Sequence, residues 1–439
     1  MSQVKDIFTG KEHAAPGKGL KGEITVPGDK SISHRSVILG SIAEGRTEIS
    51  GFLEGEDNLS TIAAFSLMGV KIDRNGSRVA IEGRGLDGLE EPPDVIDAGN
   101  SGTTTRLLLG LLSGRPFFSV ITGDESLRKR PMKRVVDPLS LMGASITGRK
   151  GSSVLPLAIS GRRLRAITYR TPVASAQLKS ALLLAGLSAD GETIIDEPEK
   201  SRDHTERMLR LFGADVRTSG NATSVRSTNR LAGCKISVPG DISSAAFFMA
   251  GAAFTPGSEL VIRDVGINPT RVGIMDVLKK MGGSIELAAQ SESSGEPVGD
   301  ILVRGSRLKG VDIGGSELLP AIDEFPIICV AAAFAEGTTR ISGAKELRVK
   351  ESDRIAVMSE CLTAIGVRNT ETEDGITIEG LGARTAKGGT IRSHGDHRIA
   401  MSMAMAALRT ENGIEIEGAA SVDVSFPGFF RLLSKVRMA

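Results

Sequence analysis

The residues able to do chemistry in this 439-residue chain gather in short polar turns, most of them at expected helix starts. VPGDKSISHR, residues 26–35, puts Lys30 and Arg35 at the first turn of a helix that Asp29, Ser31 or Ser33 can cap. Cations at a helix N-terminus oppose its dipole, so a bound anion is expected there. DAGNSGTTTR, residues 97–106, is a tight turn in which Gly99, Asn100, Ser101, Gly102 and Thr103 offer amides and side-chain oxygens to a small anion. SLRKRPMKR, residues 126–134, holds five basic residues in nine, with a helix expected to begin at Pro131. Arg130 is assigned to ligand and the other four cations to solvent. In PVASAQLK, residues 172–179, Ser175 and Gln177 supply neutral hydrogen bonds. SRDHTER, residues 201–207, predicts a well-capped helix with Asp203 and Glu206 in its first turn, from which Ser201 or Arg202 reaches a ligand.

Three further turns bring carboxylates. In LLPAIDEF, residues 318–325, Asp323 and Glu324 open a helix that is otherwise apolar; Asp323 as helix cap and Asp323 as reacting group both stay open. In RVKESDR, residues 348–354, the spacing of Lys350 and Arg354 predicts one shared helix face, with Glu351 beside them. Carboxylate and cations mixed in this way suit an acid/base site that holds anions. In SHGDHR, residues 393–398, Asp396 is expected as a cap and Arg398 as an anion ligand. His394 and His397 lack the further ligands a metal needs, so no metal centre is expected. No Ser-His-Asp order, Walker A motif or GxGxxG after a strand is convincing. The turns together imply chemistry on a small, multiply anionic substrate carrying phosphate.

The elements that must position these turns repeat six times. SVILGSIAEGRTEI, LLLGLLSGRPFFSVI, ALLLAGLSADGETII, FFMAGAAFTPGSELVI, ICVAAAFAEGTTRI and AMAALRTENGIEI each read as an apolar helix, a glycine and a strand. Their glycines, Gly45, Gly114, Gly191, Gly257, Gly337 and Gly413, lie 66 to 80 residues apart and are expected as left-handed helix stops. A second series, Gly69, Gly143, Gly213, Gly282 and Gly366, ends a second helix in five of the repeats, and the chain stops where the sixth would fall. Alternating helices and strands indicate α/β layers. ITVPGDKS from Ile24 and ISVPGDIS from Ile236 nearly repeat each other, with three repeats between them and three after. This predicts two three-repeat domains, residues 1–25 plus 239–439 and residues 26–238, with crossings near 24–28 and 236–240. The polar turns are then expected to face one another across a cleft that can close. A single continuous solenoid is the competing arrangement.

Composition narrows the function. The chain carries 54 Lys plus Arg against 53 Asp plus Glu, which disfavours nucleic acid as a partner. Aromatic content is 3%, too sparse for base-stacking platforms. No apolar run is long enough to span a membrane, and no signal or transit peptide is evident. Cys234, Cys329 and Cys361 read as isolated buried thiols of a reducing cytoplasm.

The motifs VPGDKSISHR, GNSGTTTRL, RPM, ASAQLKSA, RDHTE, IDEFP, LRVKESDRI, DHRIAM and SFP, in this order over almost the whole chain, resemble those of the 5-enolpyruvylshikimate-3-phosphate synthase family. The resemblance implies an inverse α/β barrel of two domains, each with three βαβαββ units. It implies transfer of the enolpyruvyl group of phosphoenolpyruvate to the 5-hydroxyl of shikimate 3-phosphate in the chorismate pathway, by a cytoplasmic monomer using no metal or organic cofactor. By the matching motifs, Lys30, Ser31, Arg35, Ser175, Ala176, Gln177, Ser201 or Arg202, Asp323 and Lys350 would serve shikimate 3-phosphate. Lys30, Gly102, Arg130, Gln177, Arg354 and Arg398 would serve phosphoenolpyruvate. Asp323 would handle the hydroxyl proton, Glu351 the proton at the methylene carbon, and Lys30 would lie between the substrates. The family is the target of glyphosate, and Gly102 implies sensitivity to it. Ala176 stands where many members have Ser, and Val424 where many have Lys, so no binding role is given to Val424. Three rivals were weighed. The sister transferase acting on UDP-N-acetylglucosamine resembles a Lys-Asn pair and a loop Cys, against Lys30-Ser31 and the Cys-free GDESLRKRP here. A non-catalytic repeat scaffold would have no reason for turns mixing acid and cation, and a 3′-terminal phosphate cyclase would need a more basic chain.

Overall fold

The computed structural model describes residues 10–228 and 230–439. The chain forms two compact units. Unit 1 gathers the described residues up to Pro27 with Pro239–Ser291 and Pro297–Ala439; unit 2 is Gly28–Val238 with Glu292–Glu296. Val26, Pro27 and residues 292–296 thus group differently from the sequence-based division.

Unit 2 is built on three helices, α1 (Lys30–Ile42), α2 (Gly102–Ser113) and α3 (Ala176–Gly186). They are apolar or small-residued all round because they are buried all round. Gly110 shows how closely they pack: a Cβ there would lie 2.1 Å from the Ala181 carbonyl of α3, so only glycine fits. Each helix has a four-stranded sheet beside it in sequence. One runs Lys235–Ser237, Glu44–Ser50, Arg78–Arg84, Lys71–Asn75 in spatial order. Its first pair is parallel and the others antiparallel. The sheet starting at Ile96–Asp97 and that starting at Thr168–Arg170 follow the same plan. The apolar faces of these strands and helices form one core, from Ile32 to Val238.

Unit 1 repeats the scheme with α4 (Ile242–Phe254), α5 (Phe325–Ala333) and α6 (His397–Ala406). The sheet Asp312–Ile313, Thr338–Ile341, Gly375–Glu379, Asn369–Thr372 has the same parallel-then-antiparallel order. Its core is separate, running from Ala14 to Val436. The architecture is mixed α/β throughout.

The glycine punctuation needs two corrections. Gly114 is not left-handed: it caps α2 with φ −95°. The other five glycines of its series have positive φ but stand beyond the helix ends, at the turn into the following strand. The second series does end helices, each glycine following directly on the last cap residue, as Gly69 follows Met68. The SLRKRPMKR helix begins at Lys133, not at Pro131. No helix among the described residues is long and apolar enough to cross a membrane. All three cysteines are free; Cys329 and Cys361 are buried, Cys234 half-buried, and burial pushes the Cys234 thiol up to about 11.

Candidate active site

The three helix starts of unit 2 carry one set of polar residues. At α1, Asp29 is the cap, accepting from the Ile32 N–H at 2.9 Å. Ser33 does not cap; its hydroxyl accepts from the Leu53 N–H at 3.0 Å. Lys30 Nζ lies 2.5 Å from Asp57 Oδ2. Arg35 is buried and donates to the Thr205 hydroxyl at 2.6 Å, the Ser180 hydroxyl at 2.7 Å and the Ser31 carbonyl at 3.1 Å. Burial draws its pKa down to about 10, against the opposing pull of Glu206 and Asp29. It remains cationic at neutral pH, and its hydrogen bonds among the described residues go to neutral oxygens, so its charge is available to an anion.

At α2, Ser101 caps through the Thr104 N–H at 3.1 Å. Arg106, one turn along, donates to Gln177 Oε1 at 2.6 Å, and Gln177 Nε2 donates to Thr103 at 3.0 Å. Arg130 is buried and donates to Asn100 Oδ1 at 2.6 Å. Arg128, Lys129 and Lys133 are exposed as assigned, while Arg134 is half-buried. At α3, Ser175 caps through the Leu178 N–H at 3.5 Å. Ala176 and Arg202 are half-buried. Ser201 is buried, and its hydroxyl has no hydrogen-bond partner. Asp203 stands at the cap position of the next helix, His204–Leu211, but its side chain makes no cap bond. The reason lies in its partner: it accepts from Arg207 at 3.0 Å instead.

Unit 1 carries the second set. Arg354 is buried amid three carboxylates. Its Nε lies 2.8 Å from Asp396, one Nη 2.8 Å from Glu351, and the other Nη 3.7 Å from Asp323. Burial is the largest influence on Arg354 and opposes its charge, yet Asp396 and Glu351 outweigh it and raise its pKa further. Burial likewise works against the Asp396 carboxylate, and Arg354 outweighs it and lowers its pKa below the usual range. Lys350 Nζ is 4.0 Å from Asp323. Arg398 donates to the Asp323 carbonyl at 3.0 Å and reaches Glu324 at 3.4 Å.

Two expectations fail here. Lys350 and Arg354 do not share a helix, because the helix starts at Arg354 behind its Asp353 cap, with Lys350 ahead of it. They converge on Asp323 all the same. Asp323 is not a helix cap: it lies inside a 3-10 turn, Leu319–Glu324, and Glu324 takes the cap position without a side-chain cap bond. Asp396 does cap α6, accepting from the Arg398 N–H at 3.0 Å. Val424 is buried.

Sequence reasoning passed over Arg106, Lys179 and Glu197, and gave Glu324 no role. Arg106 had a signal, since it sits one turn after Gly102 in the same motif. Lys179 had another: it is a lone charge in an otherwise small or apolar helix. Glu197 lies in a loop and gave none.

The fold and the two sets define an enzyme of acid/base chemistry on phosphorylated anions. The chain matches the family model of EPSP synthase (3-phosphoshikimate 1-carboxyvinyltransferase) over residues 14–433 and belongs to that family. The 3-phosphoshikimate 1-carboxyvinyltransferase of Geobacter metallireducens is 60% identical over 96% of this chain and 98% of its own. That of Pelobacter propionicus is 59% identical over 96% and 97%. A solved EPSP synthase from Acinetobacter baumannii superposes with a TM-score of 0.87 at 51% identity, covering 98% of both chains.

Proposed function

We propose that this chain transfers the enolpyruvyl group of phosphoenolpyruvate to the 5-hydroxyl of shikimate 3-phosphate, the activity its family and relatives carry. The rival acting on UDP-N-acetylglucosamine is not favoured by any of these likenesses.

The observation that carries the residue assignment is the Arg354 cluster, with Asp323, Glu351, Lys350 and Arg398 gathered about it. In our reading Lys30, Ser31, Arg35, Ser175, Ala176, Gln177, Ser201, Arg202, Asp323 and Lys350 serve shikimate 3-phosphate. The unpartnered buried hydroxyl of Ser201 supports Ser201 over Arg202 as the direct phosphate donor. Lys30, Gly102, Arg130, Gln177, Arg354 and Arg398 serve phosphoenolpyruvate. Each phosphate brings about −1.5 to −2 charge, so cations in this number are required.

The reaction proceeds by addition and elimination. The 5-hydroxyl oxygen attacks C2 of phosphoenolpyruvate, its proton passes to Asp323, and a proton from Glu351 goes to C3. A tetrahedral intermediate results. Loss of phosphate from C2 and of a proton from C3 then restores the double bond. Two carboxyls in different surroundings can divide these proton transfers.

We further read the two units as two domains of three βαβαββ repeats each, the inverse α/β barrel of the family. The shared parallel-then-antiparallel sheet plan supports it. A cytoplasmic monomer completes the reading. The deciding assay follows phosphate release from shikimate 3-phosphate and phosphoenolpyruvate. Absence of turnover, or turnover with UDP-N-acetylglucosamine instead, overturns the assignment.

A further inference from the structure

Beneath the α3 start lies a buried charge cluster that the mechanism above does not use. Lys179 is 1% exposed, Glu197 2% and Glu206 1%. Lys179 Nζ stands 2.7 Å from Glu197 Oε2 and 2.8 Å from Glu206 Oε1. Burial is the largest influence on Lys179 and works against its charge, but Glu206 and Glu197 outweigh it and raise its pKa above 10.5. Lys179 is therefore charged, and two carboxyl groups face one ammonium in the interior.

Such an arrangement is weak evidence for stability, since well-packed apolar residues often serve as well. Its hydrogen bonds suggest another purpose. Glu197 Oε1 accepts from the Ser175 N–H at 3.1 Å, and Oε2 from the Ser201 N–H at 3.4 Å. Lys179 Nζ donates to the Ser201 carbonyl at 3.4 Å. One carboxylate thus holds the backbone of two serines that are far apart in sequence. One serine begins α3, and the other precedes the helix His204–Leu211. Glu206, in the first turn of that second helix, is tied to the first through Lys179. The Ser201 hydroxyl is left without a partner in its buried place.

We propose that Glu197 is a positioning residue. It fixes the Ser175 and Ser201 backbones so that both side chains meet one phosphate group, and Lys179, 2.7 Å away, holds the Glu197 side chain between them. The proposal rests on the reading of Ser175 and Ser201 as shikimate 3-phosphate ligands. Hydrogen-bonding groups of a binding site need to be held within roughly 0.5 Å of the productive geometry. A carboxylate accepting two backbone N–H groups does this more rigidly than loop packing alone, because ionised acceptors make the stronger bonds.

The test separates positioning from mere structural support. Glu197→Gln keeps the size and one acceptor but removes the charge. The expected result is a Michaelis constant for shikimate 3-phosphate raised 10- to 100-fold (about 1.4–2.7 kcal/mol). The constant for phosphoenolpyruvate and kcat should change less than threefold. Ser201→Ala is made alongside. Glu197→Gln leaves Lys179 its Glu206 partner at 2.8 Å, so the fold should hold. Should it not, Glu197→Gln with Lys179→Met and Glu206→Gln removes all three buried charges and is the second variant, read by thermal melting and by the same kinetics. Positioning predicts that this neutral variant folds without regaining the shikimate 3-phosphate constant. If a folded Glu197→Gln variant, alone or in the neutral triple, keeps the wild-type constant while Ser201→Ala raises it, the positioning role is overturned and the reading of the site stands. If Ser201→Ala also leaves it unchanged, the site reading falls and the proposal with it.

Discussion

Gly102→Ala is the most informative single substitution, because what its methyl group meets is another side chain of the site. The new Cβ would stand 2.8 Å from Arg106 Nη1 and 3.5 Å from Arg130 Nη1. Ordinary contact begins near 3.4 Å, so the Arg106 guanidinium must retreat by about 0.6 Å. That guanidinium donates to Gln177 Oε1 at 2.6 Å, and Gln177 is the residue read as touching both substrates. A hydrogen bond from a charged donor contributes about 1.5–3 kcal/mol. Losing part of it costs roughly 1–2 kcal/mol, a factor of about 5–30. The fold should not suffer. The backbone at 102 lies outside the left-handed region, and alanine is the better helix former at the first position of α2. Steady-state assays should therefore show the phosphoenolpyruvate Michaelis constant raised about 5- to 30-fold. The melting temperature should stay equal or rise. Glyphosate, the longer ligand beside the same glycine in the family reading, should lose more, raising the ratio of its inhibition constant to that Michaelis constant. An unchanged phosphoenolpyruvate constant refutes the chain from Gly102 through Arg106 to Gln177. An unchanged ratio shows that Gly102 does not select between the two ligands and leaves Ala176 and Val424 to set the response.

Asp323→Asn should lower turnover by about 100-fold or more while shikimate 3-phosphate still binds; Arg354 keeps Asp396 and Glu351, so the melting temperature should move little, and near-normal turnover would remove Asp323 from the chemistry. Lys179→Met leaves two buried carboxylates unpaired and should cost about 3–5 kcal/mol in urea melts. The Lys179 pKa is raised on folding, so its stabilisation is fully present below its ordinary 10.5 and is lost as pH climbs through the higher folded value; a wild-type advantage that fades between pH 7 and 9 would contradict the ionised cluster. Binding of phosphoenolpyruvate to the shikimate 3-phosphate complex should take up protons at pH 7. Calorimetric heat that is independent of the buffer's ionisation enthalpy would count against it.

What the sequence disclosed follows from what each signal depends on. The helix starts were legible because capping is local: Asp29, Ser101, Ser175 and Asp396 each bond an N–H two or three residues ahead. The helices themselves were legible as runs of small apolar residues, which no exposed helix would need. Asp323 was left open because a 3-10 turn and an α-helix start look alike at that spacing. The i, i+4 argument for Lys350 and Arg354 assumed a helix that in fact begins only at Arg354, four residues after Lys350, yet the two meet through Asp323, which no local pattern encodes. The Glu197 contacts to Ser175, Lys179 and Ser201 link a loop to segments on either side of it, and composition carries no trace of such pairing.

The unit 1 set explains why proton uptake should accompany binding. Asp396 takes the Nε edge of Arg354 and is itself held by the Arg398 N–H and the Ser352 hydroxyl, so its negative charge is fixed. Glu324 is buried against the Ser243 hydroxyl and Arg398. With Asp323 and Glu351 these make four carboxylates beside three cations, Lys350, Arg354 and Arg398. Among these groups the carboxylates outnumber the cations by one before a substrate arrives. In the proposed reading, phosphoenolpyruvate brings a carboxylate and a phosphate to the same cations. A like charge nearby favours the neutral form of a carboxyl group, and the group that responds must be one not locked by several donors. Glu351 pairs with Arg354 and is only half-buried, whereas Asp396 is fully enclosed. The anion that needs a proton at C3 thus drives that proton onto the carboxyl assigned to deliver it. Having given that proton to C3, Glu351 in this reading is the carboxylate that takes the C3 proton back as phosphate leaves C2.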